Sequence, residues 1–254
     1  ADMGALMLAR REVPQVEVHI STQAGVTNYL TARELFALGA KRVVLARELP
    51  LTEIAGIRKN TPPELELEVF VHGAMCVSFS GRCVLSNYMA QRDASRGACA
   101  QPCRYKYALM EEQRPGEYFP VIEGDEGAYI FNSKDMCMID HLPELIGVGL
   151  DSLKIEGRAK SAYYAAIVTL AYRRGLDAAL AGEALDPVWR AELDKVSHRP
   201  YSEGFWYGHP EQYVGDARYI RDWQVSAIVT SCAPDGKALV SLRNKFRRGE
   251  TLEL

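Results

Sequence analysis

Between residues 15 and 73 the apolar positions switch repeatedly between two periods. "QVEVHIS" (15–21) alternates apolar and polar side chains through β-branched residues, the pattern of a half-buried strand. "NYLTARELFALGA" (28–40) sets Leu30, Leu35, Phe36 and Leu38 along one side of a helix, with Gly39 near its stop. "KRVVLARE" (41–48) returns to strand. "LTEIAGIRKN" (51–60) returns to helix, with Thr52 as N-cap and Pro62 and Pro63 beyond its end. "ELELEVFVHG" (64–73) is a third strand. Strand–helix–strand units in succession predict a mainly parallel sheet with right-handed crossovers.

The second half is less regular. "YKYALMEE" and "YFPVIEGDEGAYIFNS" read as extended pieces, the latter split by a Gly-rich turn. "LPELIGVGL" is a short helix, "DSLKIEG" (151–157) a strand, and "SAYYAAIVTLAYRRGLDAALAG" (161–182) the longest helix. "SHRPYSEGFWYGHPEQY" (197–213) reads as an irregular aromatic connector packed over the sheet. "QVSAIVTSCAPDGKALVSLRNKF" (224–246) is strand, "APDG" turn, strand, the front of a second, all-β unit.

Polar residues recur where strands end: Ser21, Thr22 and Gln23; Arg47 and Glu48; His72; Asn132, Ser133, Lys134 and Asp135; Glu156 and Arg158. In β/α barrels the carboxyl ends of the strands carry the chemistry, but about five strands fall short of the eight a closed barrel needs. The sheet is therefore open, or further strands precede this sequence. It starts with Ala1 rather than Met, which points to a native N-terminus beyond it.

Composition narrows the class. The 254 residues are 48% hydrophobic and 25% charged with net charge −3, which is that of a soluble globular protein. The charge carries no strong nucleic-acid signal, although basic residues can cluster on one face. No apolar run approaches the ~20 residues of a membrane helix. The start lacks the basic head and apolar block of a secretory leader, so a cytoplasmic location without membrane contact is expected.

Four of the six cysteines crowd into residues 71–107, spaced C-x6-C-x15-C-x3-C, with Cys137 a further 33 residues on. A long chain without a leader argues against disulfides. Zinc prefers tight C-x2-4-C pairs, which only Cys99 and Cys103 offer. A nucleophilic cysteine needs a base beside it, and His72 on a strand is too far from Cys76. An iron–sulfur cluster takes four thiolates, and soft sulfur ligands alone do not separate it from zinc. Buried, inert thiols are the bland reading.

"ELEVFVHGAMCVSFSGRCVLSNY" resembles the signature of peptidase family U32, the collagenase-like proteases. "HISTQ", "GACAQPCRYKY", "FNSKDMCMID", "SLKIEGRAKSAYY" and "SHRPYSEGFWYG" extend the likeness over nearly the whole chain. It is strongest toward the bacterial branch that hydroxylates tRNA at the wobble uridine; other members act on a ribosomal RNA cytidine or the ubiquinone ring. The resemblance implies an α/β fold, a TIM-like (β/α) barrel whose N-terminal strands lie outside this sequence. On that reading residues 1–196 are a partial barrel with the cysteine loop 71–107. Residues 197–223 are a connector, and 224–254 begin a small β domain.

The resemblance also implies a [4Fe–4S] cluster on Cys76, Cys83, Cys99 and Cys137, with Cys103 competing with Cys99 and zinc as the alternative metal. Cys232 reads as a free thiol. Prephenate is implied as cosubstrate, and a dicarboxylate needs cations and oriented donors. Arg82, Lys134, Lys154 and Arg158 are candidates, with Gln23 and Asn132 as further substrate contacts. His72, Glu68, Lys154, Glu156 and Arg158 are the candidate catalytic residues; the bland readings are a core histidine and ion pairs across strands and loop. Glu68 and His72 are expected to point inward together from one strand. Tyr163 and Tyr164 read as core.

The implied RNA partner is a tRNA anticodon loop, since proteins read single-stranded bases by stacking and edge contacts. Tyr105, Tyr107, Phe205 and Trp206 are candidate stackers, and Arg92, Arg96, Arg104 and Lys106 candidate phosphate contacts. The rival reading is a peptidase, but no G-x-S-x-G elbow or H-E-x-x-H helix is present. A cluster-bearing scaffold without a substrate is the non-enzymatic alternative.

Overall fold

The computed structural model describes residues 2–76, 78–79, 83–104, 108–109, 112–113, 115–116, 119–120, 134–158, 160–208, 210 and 219–253. In chain order the elements are α1 (Met3–Glu12), β1 (Val18–Ile20), α2 (Tyr29–Ala37), β2 (Ala40–Val44), α3 (Leu51–Lys59), β3 (Glu66–Ala74) and α4 (Leu85–Ala90). There follow β4 (Ala108–Leu109), β5 (Phe119–Pro120), β6 (Asp135–Cys137), α5 (Leu142–Val148), β7 (Ser152–Ile155), α6 (Ala162–Ala181), α7 (Pro187–Lys195) and β8 (Tyr201–Ser202). β9 (Ala227–Cys232) and β10 (Ala238–Leu242) end the chain as an antiparallel pair.

The fold is mixed α/β around a largely parallel sheet. Among the described residues β1, β2 and β3 run parallel, and β7 joins the far edge of β3 in the same direction. β6 is antiparallel, taking the last turn of that edge through His72, Gly73 and Ala74, and β8 lies parallel outside it. β8 falls within the stretch read as an irregular connector. The rest of that stretch does pack down: Trp206 is buried, and its carbonyl accepts the Leu51 amide at 3.1 Å.

Helix ends follow local chemistry. Asn28 and Ser161 cap α2 and α6 by accepting amides of Thr31 and Tyr164. Thr52 does not cap α3; it lies inside the first turn, after Pro50, whose ring carries no hydrogen-bonding group to cap with. α1 has no counterpart in the sequence reading because Leu6 alone of its side chains is buried, so its apolar stripe is faint.

β3 is the spine of the core: Leu67 through Gly73 are all buried, as expected of a strand covered on both faces. Tyr172 of α6 pins its end. The phenol donates to the Val71 carbonyl at 2.7 Å and accepts the Met138 amide at 2.9 Å. Gly73 permits a close approach between two strand ends. Its φ is +106°, and a Cβ there would stand 2.2 Å from the Glu156 carbonyl oxygen. The end of β7 is thereby brought against the end of β3, where the cysteine loop departs.

Candidate functional site

The segments that follow β2, β3 and β7 converge. Arg47 lies three residues past β2, Cys76 two past β3, and Glu156 and Arg158 just past β7. Arg47 faces Cys76 and Glu156 electrostatically, and Cys76 in turn faces Cys83 and Cys99. Arg158 reaches into the cysteine loop, its guanidinium 3.1 Å from where a Cβ on Gly97 would lie. α4 ties the loop together: the Ser86 hydroxyl accepts the Ala100 amide at 2.9 Å, and the Ser86 carbonyl accepts the Arg92 amide.

The cysteines share one local device. Leu85 N–H donates to Cys83 Sγ at 3.2 Å and Gln101 N–H to Cys99 Sγ at 3.3 Å. Ser78 and Ile139 amides do the same for Cys76 and Cys137. Each donor is the amide two residues ahead, and a hydrogen bond to sulfur favours the thiolate. Burial works the other way, pushing the Cys76 and Cys137 thiols up. A metal would remove that conflict, because metals bind the deprotonated sulfur.

The four do not share one set of neighbours. Cys76 faces Arg47, and also Cys83 and Cys99 on other parts of the loop. Cys137 is buried with its Sγ 4.0 Å from the Tyr172 hydroxyl, near Arg190 and Asp140. Among the described residues no three His, Cys, Asp or Glu side chains gather closely enough to hold a metal ion. The four cysteines have the donor chemistry of thiolate ligands, each with a matching amide donor, but the described side chains are not drawn together into one centre. Cys103 sits in the short turn Pro102–Arg104, and Cys232 is exposed on β9.

His72 and Glu68 do not point inward together. The register between β3 and β7 shifts between Phe70 and His72, which breaks the alternation. Glu68 joins a charged ladder: Lys154 Nζ is 3.0 Å away, Arg42 Nη1 3.0 Å, and the Ser152 hydroxyl donates at 2.9 Å. Burial pushes the Glu68 carboxyl up, but Lys154, Ser152 and Arg42 together hold it below the ordinary range. Lys154 is thus an ion-pair partner of Glu68, leaning over Phe70.

His72, directly opposite Cys137 on β6, is enclosed by the rings of Tyr164, Tyr172 and Tyr201. It is 1% exposed and neither ring nitrogen has a hydrogen-bond partner. Burial, then the charges of Lys160, His198 and Arg190, depress its pKa to about 3, so it is neutral at physiological pH.

Glu156 and Arg158 pair with each other at 3.7 Å, and Glu156 also accepts the Arg158 amide at 2.9 Å. Gln23 lies in the short helical turn Thr22–Ala24 after β1, and Lys134 directly precedes β6. Arg82 and Asn132 lie outside the described residues, as do Tyr105, Lys106 and Tyr107. Phe205 packs against the core and Trp206 is within it, so Trp206 offers no face to RNA. Arg47 was legible only as a polar residue after a strand; the enclosure of its Nε comes from tertiary packing.

Comparison with known proteins shows the family. The sequence profile of peptidase family U32 matches residues 1–216. The chain belongs to peptidase family U32. One U32 relative, "tRNA hydroxylation protein P" of Escherichia coli, is 36% identical over 297 residues, covering all of this chain and 65% of its own length. Another, "Uncharacterized protease MJ0090" of Methanocaldococcus jannaschii, is 41% identical, covering 99% of this chain and 63% of its own. The E. coli "23S rRNA 5-hydroxycytidine C2501 synthase" is 35% identical over 85% of this chain and 31% of its own length. This chain therefore spans a little under two thirds of the first two. No solved structure matches it. Among the described residues no helix is long and apolar enough to cross a membrane.

Proposed function

We propose that this chain is part of a cytoplasmic RNA hydroxylase that adds a hydroxyl to C5 of the wobble uridine of tRNA, with prephenate as cosubstrate and a [4Fe–4S] cluster as cofactor. The observation that carries this reading is the run of U32 relatives named for tRNA hydroxylation that align along the full chain. The amide-to-sulfur turns support the cofactor. Cys76, Cys83, Cys99 and Cys137 would hold it, with zinc as the competing metal. When bound, such a cluster supplies single-electron chemistry.

The chain's own residues supply recognition. Arg158, Lys134 and Gln23 lie near strand ends where a dicarboxylate would need donors, and Arg82 and Asn132 remain candidates from the family pattern. For RNA, the cysteine loop presents Tyr88 and Phe79, 86% and 45% exposed, with exposed Arg92 and Arg96 nearby. Aromatic faces flanked by arginine suit unstacked bases and their phosphates. We further propose that strands outside this sequence complete a TIM-like barrel around the sheet.

A peptidase remains the second reading because of the protease name carried by the archaeal relative. Against it, the buried His72 meets no hydroxyl or thiol. Mass spectrometry of tRNA nucleosides from a deletion strain decides between them. Loss of 5-hydroxyuridine derivatives, restored by the wild-type gene and not by Cys76→Ser, is the expected result. Unchanged nucleosides with lost gelatin cleavage would move the assignment to hydrolysis.

A further inference from the structure

The loop after β10 concentrates positive charge. Arg243, Lys245, Arg247 and Arg248 fall within six residues, interleaved with Asn244 and Phe246, in a chain whose net charge is −3. All six residues are exposed. Among the described residues none of the four cationic side chains is in an ion pair. The exposed Arg11, Arg173 and Lys237, by contrast, each sit against a carboxylate. The backbone of the run is held. The Arg243 and Asn244 amides both donate to the Ser226 carbonyl, at 2.9 and 3.0 Å, and Asn244 Nδ2 donates to the Val225 carbonyl at 2.7 Å. Arg247 and Glu250 close a turn. The Glu250 amide donates to the Arg247 carbonyl at 3.2 Å, and the Glu250 carboxylate accepts the Arg247 amide at 3.0 Å. Gly249, at the third position, has a φ of +96°. Glu253 then pairs with Lys195 of α7. The cations therefore ride on a loop tied to the hairpin at one end and to α7 at the other.

We propose that this loop is a contact for the phosphate backbone of the RNA substrate, made by Arg243, Lys245, Arg247 and Arg248. This inference rests on the RNA reading above. Like charges in one short loop repel one another, and a polyanion turns that repulsion into attraction while releasing its condensed counterions. Phosphate contacts position a nucleic acid without reading its sequence. The loop thus holds the RNA, and recognition of the base belongs elsewhere. Phe246 offers a ring face to an unstacked base. As the only apolar residue of the run, it leaves little to insert into a bilayer.

The test uses the 254-residue chain and fluorescein-labelled tRNA transcribed in vitro. Binding is read by anisotropy between about 50 and 200 mM salt. The fourfold variant Arg243→Gln, Lys245→Gln, Arg247→Gln, Arg248→Gln should bind roughly tenfold more weakly, and its slope of log affinity against log salt should be shallower by about 3. An RNA hairpin with no anticodon should show the same loss, because phosphates alone are contacted. Arg243→Lys, Arg247→Lys and Arg248→Lys together keep the charge and should keep the wild-type slope. Should the fourfold variant not fold, Lys245→Gln with Arg248→Gln replaces it, since neither side chain makes a hydrogen bond among the described residues; the slope should then change by about 1.5. Neutral variants with wild-type affinity and slope overturn the inference and leave the hydroxylase reading standing. Unchanged RNA binding with lost sedimentation on phosphatidylglycerol vesicles also overturns it, and moves the loop to an anionic lipid surface. A wild-type chain that binds neither RNA overturns it as well. Unchanged nucleosides in the deletion strain, alongside the expected loss of binding, would overturn hydroxylation and support the loop as an RNA contact.

Discussion

Replacing His72 by phenylalanine isolates the cost of burying an unpartnered titratable ring. The ring volume is nearly kept, and no hydrogen bond is lost because neither nitrogen makes one. Burying a polar group without a partner costs about 1–3 kcal/mol, so the variant should be at least as stable as wild type at pH 7.5. The larger effect lies in acid. Unfolded, the histidine takes up its proton below about pH 6.5; folded, it does so only near 3. The unfolded chain therefore binds the extra proton throughout that window, and stability falls as pH drops across it. Between pH 7.5 and 5 the difference amounts to about 2 kcal/mol. Urea unfolding of both proteins at the two pH values measures it. Wild type should lose about 2 kcal/mol more than His72→Phe, the other histidines cancelling in the comparison. Equal losses would show that His72 is protonated in the fold, by water or a partner that reaches it, and would refute its isolation among Tyr164, Tyr172 and Tyr201.

Three further substitutions probe the frame of the site. Glu68→Gln should cost about 1–3 kcal/mol at pH 7 by leaving Arg42 and Lys154 without their shared carboxylate. Because the Glu68 pKa is depressed, that difference should vanish as pH falls through its folded value, which thermal melts at pH 7 and pH 3 would reveal. Tyr172→Phe removes one hydroxyl and leaves the Val71 carbonyl and the Met138 amide without it; it should cost about 2–3 kcal/mol in chemical unfolding. Gly73→Ala forces a methyl against the Glu156 carbonyl at positive φ; a loss above about 3 kcal/mol or insoluble expression is expected, and a wild-type melting temperature would contradict the close approach of β3 and β7.

Legibility in the sequence tracked local periodicity. The long helix read at 161–182 is α6 (Ala162–Ala181), and the strand read at 64–73 is β3 (Glu66–Ala74). Both carry strong patterns with clear stops. β6, at three residues, is too short to show a period, and its antiparallel pairing is set by the chain's route rather than by its composition. α7 (Pro187–Lys195) buries Leu193 alone, so its apolar stripe is weak. At the site, residue type and spacing marked the cysteines, but nothing local distinguishes a half-buried Arg47 from a fully solvated one. The separation of Glu68 from His72 was equally hidden, because a register shift between β3 and β7 is a property of the pair.

The cysteine loop stands at the centre of the account, and metal analysis addresses it directly. Anaerobically purified wild-type chain should contain iron and acid-labile sulfide in equal number and absorb in the visible, and Cys76→Ser should lose both while remaining folded. Stoichiometric zinc in place of iron and sulfide, or Cys76→Ser with undiminished iron, would contradict the assignment of these sulfurs to an iron–sulfur centre.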